Sequence, residues 1–341
     1  IPVFGPGSRG ARVEGSKSFA KQVMAEAGVA TAEHWSGRDP GAARRALDRF
    51  GAPFVVKADG LAAGKGVRVC ATRREAETAV DDALVRGRFG AAGATLVVEK
   101  FLAGPEVSVL ALCDGADVRV LPVAQDYKRA LDGDAGPNTG GMGAYCPVPA
   151  AEDAGLAEWA RGDVFGPVLA ALRGRGVDYV GVLYAGLVLT PAGPRVLEFN
   201  ARFGDPEAQA VLPRLCGDLG AALLAGARGD LSRAETPAVD PRACVTVVLA
   251  SGGYPGPHPT GVPIDGVGEA TRVPGALVFH AGTRRDGPRL VTAGGRVLAV
   301  SGLGDSIAAA RDAAYRAAGH IRFDGLTRRS DIASTPTGAG R

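Results

Sequence analysis

Pro53-Phe54-Val55-Val56-Lys57-Ala58-Asp59-Gly60-Leu61-Ala62-Ala63-Gly64-Lys65-Gly66-Val67-Arg68-Val69 sets a glycine-rich, cationic loop between two β-branched strands. That is the layout of a lid over nucleotide phosphates. Gly60, Gly64 and Gly66 lack side chains, so backbone N–H groups can approach phosphate oxygens closely. Of the 39 basic residues only six are lysine: Lys17, Lys21, Lys57, Lys65, Lys100 and Lys128. In a chain that defaults to arginine, two lysines bracketing one glycine loop mark a demand for compact ammonium groups.

Two other glycine motifs are set aside. A Walker loop needs four residues between its first glycine and Gly-Lys and then opens a helix; here three residues separate Gly60 from Gly64, and Gly66 leads into a strand. Gly5-Pro6-Gly7-Ser8-Arg9-Gly10 spells G-x-G-x-x-G. It lacks the preceding strand and the acidic residue about 20 positions on that a dinucleotide site requires, so it reads as a turn or loop.

The chain has 341 residues and a formal charge of +3, enough length for two or three domains. Its arginines fall in scattered pairs without interleaved aromatics, which argues against nucleic acid. Apolar runs such as Val247-Val248-Leu249-Ala250 are far short of a membrane span of about 18 residues. Five cysteines without a C-x-x-C pair and four dispersed histidines suggest neither disulfides nor zinc; a cytoplasmic protein with no membrane partner is expected.

The start reads as irregular, followed by helices over 18–27 and 42–50. Strands are expected over 53–57 and 67–70, and Thr72-Arg73-Arg74-Glu75 has the capping-box pattern for a helix to about Val85. Strand 95–99, a hinge near 100–105 and strand 106–113 follow. The segment 125–149 carries much glycine and little periodicity, so it reads as a functional loop. Residues 152–172 are mostly helical, 182–189 and 195–200 form a hairpin, and 232–242 is a boundary. Beyond it come strands 244–250, 278–281 and 296–300 and a helix after Asp305-Ser306. The tail 334–341 is expected to be disordered.

Strand alternation puts Glu198 and Asn200 on one face of Val196-Leu197-Glu198-Phe199-Asn200. A carboxylate and an amide oxygen suit Mg²⁺ also held by phosphates; the competing reading is an edge strand with a solvated polar face. Ala201-Arg202-Phe203-Gly204-Asp205-Pro206-Glu207 adds an arginine suited to a transferring phosphoryl group.

Taken with these, Glu14-Gly15-Ser16-Lys17, Gln125-Asp126-Tyr127-Lys128-Arg129, Gly136-Pro137-Asn138-Thr139-Gly140-Gly141-Met142-Gly143, Ser251-Gly252-Gly253-Tyr254-Pro255-Gly256 and Phe279-His280-Ala281-Gly282-Thr283 make the chain resemble the phosphoribosylamine–glycine ligases of the ATP-grasp superfamily. The resemblance implies an α+β ATP-grasp fold, two α+β lobes clamping ATP, followed by a small C-terminal α/β domain. The expected divisions are an entry segment 1–37, a lid subdomain 38–103, a core with the metal site 104–235 and a C-terminal domain 243–333.

It further implies that Lys17 and Lys57 bind ATP phosphates while Gly64, Lys65 and Gly66 close over them. Glu99, Lys100, Phe101 and Leu102 would form the adenine hinge. Glu106 would hold the ribose, unless it is a surface carboxylate at a strand start. Glu198 and Asn200 would bind Mg²⁺, with Mn²⁺ as a substitute. Arg202 and Lys65 would stabilise the transferred phosphate. Asp126 with Asn138, Thr139, Gly140, Gly141, Met142 and Gly143 would line the glycine and acyl-phosphate pocket; Asp126 could equally cap its own loop. The implied substrates are glycine and 5-phosphoribosylamine, joined through glycyl phosphate, and the implied assembly is a monomer or weak homodimer. The family begins with a Rossmann-like domain of about 80 residues that this sequence is expected to lack. The competing readings are therefore an ATP-binding fragment without catalysis and another ATP-grasp carboxylate–amine ligase.

Overall fold

A computed structural model describes residues 1–62, 66–235 and 237–334. It divides into two compact units that interleave along the chain: residues 1–120, 158–202 and 223–234 form the first, and 121–157, 203–222 and 235–341 the second. This division splits the expected block 104–235 and joins 121–157 and 203–222 to the block 243–333, which stays whole. The reason is a strand pairing distant in sequence, Gly143–Cys146 against Ala243–Ala250, which draws the middle of the chain into the C-terminal sheet.

The first unit carries two antiparallel four-stranded sheets. One orders His34–Gly37, Leu96–Lys100, Phe54–Ala58 and Val67–Cys70. Its apolar face is covered by helix Pro40–Phe50, which starts at Asp39, whose side chain accepts from Ala42 N at 2.6 Å, and buries Ala43, Ala46, Leu47 and Phe50. Such a cap contributes about 1 kcal/mol. Helix Arg73–Val80 packs on the same core. Thr72 caps it as expected, but Glu75 reaches back to Ala71 N rather than Thr72 N, and the last turn, Asp81–Val85, is π-helical.

The other sheet orders Gly193–Asn200, Val180–Thr190, Glu106–Asp114 and Val118–Val120. The expected hairpin is its first pair. The chain crosses between the sheets at Gly104, whose φ of +151° and position against the Leu189 carbonyl exclude any side chain, while Leu189 N donates to Pro105 O at 2.9 Å. The expected hinge is thus pinned to the hairpin.

Two local expectations need correcting. The irregular start contains helix Ser8–Gly15; Gly10 lies where a Cβ would stand 3.2 Å from the Tyr179 ring, so the third glycine of the false fingerprint serves packing. The segment 125–149 holds strands Gln125–Asp126, Arg129–Leu131, Ala135–Asn138 and Gly143–Cys146, stabilised by partners that its own pattern cannot announce. The mostly helical stretch expected over 152–172 is present as Pro149–Asp153 and then a run from Leu156–Ala160 through the π-turn Arg161–Phe165 to Gly166–Gly174.

The second unit is built on an antiparallel five-stranded sheet ordered Ala276–His280, Arg296–Gly304, Ala243–Ala250, Gly143–Cys146 and Gln125–Asp126. Helix Ile307–Ala318, capped by Ser306, lays a buried face of Ala310, Ala313, Ala314, Ala317 and Ala318 on it. Gly302 and Gly304 lie directly beneath the helix backbone and leave no room for a Cβ.

Candidate active site

Helix Lys17–Glu26 begins at Ser16, whose Oγ accepts from Phe19 N and donates to Asp59 Oδ2 at 2.9 Å; Asp59 Oδ1 also accepts from Ser18 N at 2.6 Å. Asp59 follows strand Phe54–Ala58, so it ties the Lys17 turn to the base of the glycine loop. Lys17 Nζ lies 3.4 Å from Gly60 O. Burial pushes its ammonium below the usual lysine range, against the pull of Glu198.

Gly60 and Gly66 have a packing reason besides phosphate access. A Cβ on Gly60 would stand 2.8 Å from Ala92, and one on Gly66 2.7 Å from the Ala62 Cβ. Gly64 and Lys65 lie outside the described residues.

Lys57 is 5 % exposed. Its ammonium donates to Glu99 Oε2 at 3.0 Å and to Leu197 O at 3.3 Å. Burial opposes its charge, but Glu99 and then Glu198 outweigh it and hold Lys57 above the ordinary lysine value. Glu99, itself 2 % exposed, is kept low in spite of burial by Lys57 and Lys21. Lys21 Nζ stands 3.1 Å from Glu99 Oε1 as an ion pair outside hydrogen-bond alignment. The Glu99 side chain is therefore the shared counter-ion of two buried lysines, so a purine contact from 99–102 would come from backbone or from the neighbouring side chains. Lys100 pairs with Glu33 at 3.6 Å, and Phe101 is exposed.

The Leu197 carbonyl reaches Lys57 because Leu197 is a bulge. Gly186 pairs with Glu198 and Leu187 with Val196, leaving Leu197 without a partner position. Bulges re-aim groups in this way beside functional sites. The register pairs Glu198 with Gly186 and Asn200 with Tyr184, which keeps the two proposed metal ligands on one face as the sequence alternation required. Arg202 Nε donates to Glu14 Oε1 at 3.1 Å and its Nη2 reaches Asn200 Oδ1 at 3.4 Å, while Glu14 Oε2 accepts from Ala201 N at 2.9 Å. The sequence around Glu14 carries no signal of this role; its place beside Arg202 arises only in three dimensions. Glu106 lies at the exposed start of its strand and within the electrostatic reach of Lys57.

The donor set fits a divalent cation. Among the described residues no cluster of three or more His, Cys, Asp or Glu could hold a metal. Glu198 and Asn200 would supply two hard oxygens and leave the rest of an octahedron to phosphate and water.

In the second unit the Asn138–Gly143 residues are held largely through the backbone. Arg296 Nη1 donates to Gly140 O at 2.8 Å and to Asp205 O at 2.6 Å, Tyr254 OH accepts from Gly140 N at 2.9 Å, and Thr139 Oγ1 bonds Lys128 O at 2.9 Å and Gly141 N at 3.0 Å. Gly141 has φ +114° and abuts Pro206, so no side chain fits. Asn138 accepts from Arg129 at 3.3 Å. Met142 is core, and Gly143 lies in the buried sheet. Asp126, mostly covered, lies 3.7 Å from Lys128. The anchors Arg296 and Tyr254 were missed; Gly253-Tyr254 and Gly295-Arg296 offered only unassigned glycine-flanked residues. Among the described residues no helix is long and apolar enough to cross a membrane.

Comparison with known proteins identifies the family and the fold. The family model described as "Phosphoribosylglycinamide synthetase, ATP-grasp (A) domain" matches residues 15–208, and the C-domain model of the same synthetase matches 244–335. The phosphoribosylamine–glycine ligase of Streptomyces coelicolor is 51 % identical, covering 99 % of this chain and 79 % of its own length. That of Rhodopirellula baltica is 48 % identical, with 97 % and 77 % covered. The crystal structure of the Thermotoga maritima ligase superposes with a TM-score of 0.86 at 37 % identity over 97 % of this chain and 81 % of that one. A biotin carboxylase domain from Hydrogenobacter thermophilus, 18 % identical with a TM-score of 0.72, shares the fold alone. The chain belongs to the phosphoribosylamine–glycine ligase family and has its ATP-grasp fold.

Proposed function

We propose that this protein ligates glycine to 5-phosphoribosylamine at the expense of ATP, releasing ADP and phosphate and forming glycinamide ribonucleotide. The observation that carries the reading is the cluster of Lys17, Lys57, Glu198, Asn200 and Arg202 in one unit of a chain with this ancestry. The ligase relatives favour catalysis over an ATP-binding fragment.

Lys57 and Lys17 hold the phosphates of ATP, and the segment 99–102 receives adenine while Glu106 takes the ribose hydroxyls. Glu198 and Asn200 would hold Mg²⁺, which when bound neutralises phosphate charge and orients the chain of phosphates. The glycine carboxylate attacks the γ-phosphorus, giving glycyl phosphate and ADP. Arg202 and Lys65 offset charge on the transferring group, and no protein nucleophile is required. Asp126 and the 138–143 loop bind glycine. The amine of phosphoribosylamine then attacks the acyl carbon and expels phosphate, a step that needs water excluded because the mixed anhydride hydrolyses.

Glycine labelled with ¹⁸O in its carboxylate tests the reading. One label should leave in the phosphate, since the attacking carboxylate oxygen bridges to phosphorus and departs with it. Product formation with unlabelled phosphate would exclude the acyl-phosphate route.

A further inference from the structure

Lys21 has no place in the chemistry above, yet it is as deeply buried as Lys57, at 2 % exposure. Its ammonium faces Glu99 Oε1 at 3.1 Å and donates to Thr31 Oγ1 at 2.7 Å; that hydroxyl in turn donates to Val196 O at 2.5 Å. Leu197, the next residue, gives its carbonyl to Lys57. The contacts form a closed ring through helix Lys17–Glu26, two central strands of one sheet and the edge strand bearing Glu198 and Asn200.

A buried lysine is costly, and a purely structural bond to Thr31 would not call for a charge. The triad holds two ammoniums and one carboxylate, a surplus of one positive charge. If Lys21 neutralises Glu99, Lys57 can offer its charge and remaining N–H donor to a phosphate. Without Lys21 the remaining Lys57–Glu99 pair is neutral, and drawing Lys57 toward an anion leaves a buried carboxylate uncompensated, which is strongly unfavourable.

We propose that Lys21 is a positioning residue that neutralises Glu99 and thereby frees the charge of Lys57 for the ATP phosphates. This rests on the reading of Lys57 as a phosphate ligand.

Calorimetry of MgATP and AMP binding to the full chain tests it, with the folded fraction of each variant read by thermal melting. Lys57→Met should weaken MgATP binding; unchanged affinity would overturn the reading of Lys57 and this inference with it. Lys21→Met, or Lys21→Gln where the methionine variant folds poorly, should weaken MgATP per folded molecule by about tenfold or more while AMP binding falls less, because AMP offers a single phosphate and less negative charge for Lys57 to meet. Adding Glu99→Gln to either variant should restore MgATP affinity to within about threefold of the parent chain, since no orphan carboxylate remains. Given weak binding by Lys57→Met, three outcomes would each overturn the role of Lys21 alone: unchanged MgATP affinity in the Lys21 variants, equal losses for ATP and AMP, or no rescue by Glu99→Gln.

Discussion

The lysine cluster of the first unit and the glycine loop of the second are held by opposite means. Around Glu99, two buried ammoniums meet one carboxylate, and shape follows from charge on side chains. Around Gly140, a single arginine and a tyrosine hold backbone atoms, and shape follows from the absence of side chains. Charged side chains announce themselves in a sequence, whereas backbone atoms are identical at every residue. A site of the first kind can therefore be read early, and one of the second kind mainly through its glycines.

The sharpest way to break this contrast is Lys57→Met. If side-chain charge governs the first site, MgATP affinity should fall by about 100-fold, since a buried charge-assisted contact is lost. The melting temperature should move much less, because Glu99 keeps Lys21. A collapse of the fold with undiminished affinity per folded molecule would make Lys57 a structural residue.

Glu198→Gln should raise the Mg²⁺ concentration needed for half-maximal turnover by about tenfold, as a hard anionic ligand becomes neutral. Chelating the divalent ion from the parent chain should abolish turnover. A magnesium titration identical in variant and parent would remove Glu198 from the metal site.

Arg296→Ala sharpens the comparison from the other side. The exposed Gly140 and Asp205 carbonyls exchange a charged donor for water, at about 1 kcal/mol of stability or less, and the Michaelis constant for glycine should rise several-fold. Affinity for MgATP should stay within about twofold. Equal losses for glycine and ATP would show that the two regions do not act separately.

The smallest effect concerns pH. Glu99 titrates below its ordinary value of 4.5, so its contribution is present above that value and is lost as pH falls through the folded one. Lys57, raised above 10.5, contributes fully below that value and loses its share as pH climbs through the folded one. Thermal melts of Glu99→Gln should therefore show a flatter decline than the parent below pH 4.5; parallel acid limbs would contradict the counter-ion role.

Much of the lysine site was legible. Lys57 stood out against an arginine background, period two paired Glu198 with Asn200, and Thr72 and Asp305-Ser306 marked helix starts that the structure keeps. The loop 125–149 was legible as important but not as strand, because Gly143–Cys146 becomes a strand by pairing with residues Cys244 to Val247 on one side and Gln125–Asp126 on the other. The hidden role of Lys21 and the Leu197 bulge were equally out of reach: each depends on which residues face a side chain or carbonyl across another element.

The sequence by itself determined the family, singled out Lys57 and the glycine-rich loop, and put Glu198 and Asn200 on one strand face, since these rest on residue chemistry and local period. Tertiary structure alone decided that Glu99 lies between two lysines, that Glu14 meets Arg202, that Arg296 secures the glycine loop and that the two units interleave. Those contacts join residues far apart along the chain, and local propensity carries no information about partners brought together only when the sheets close.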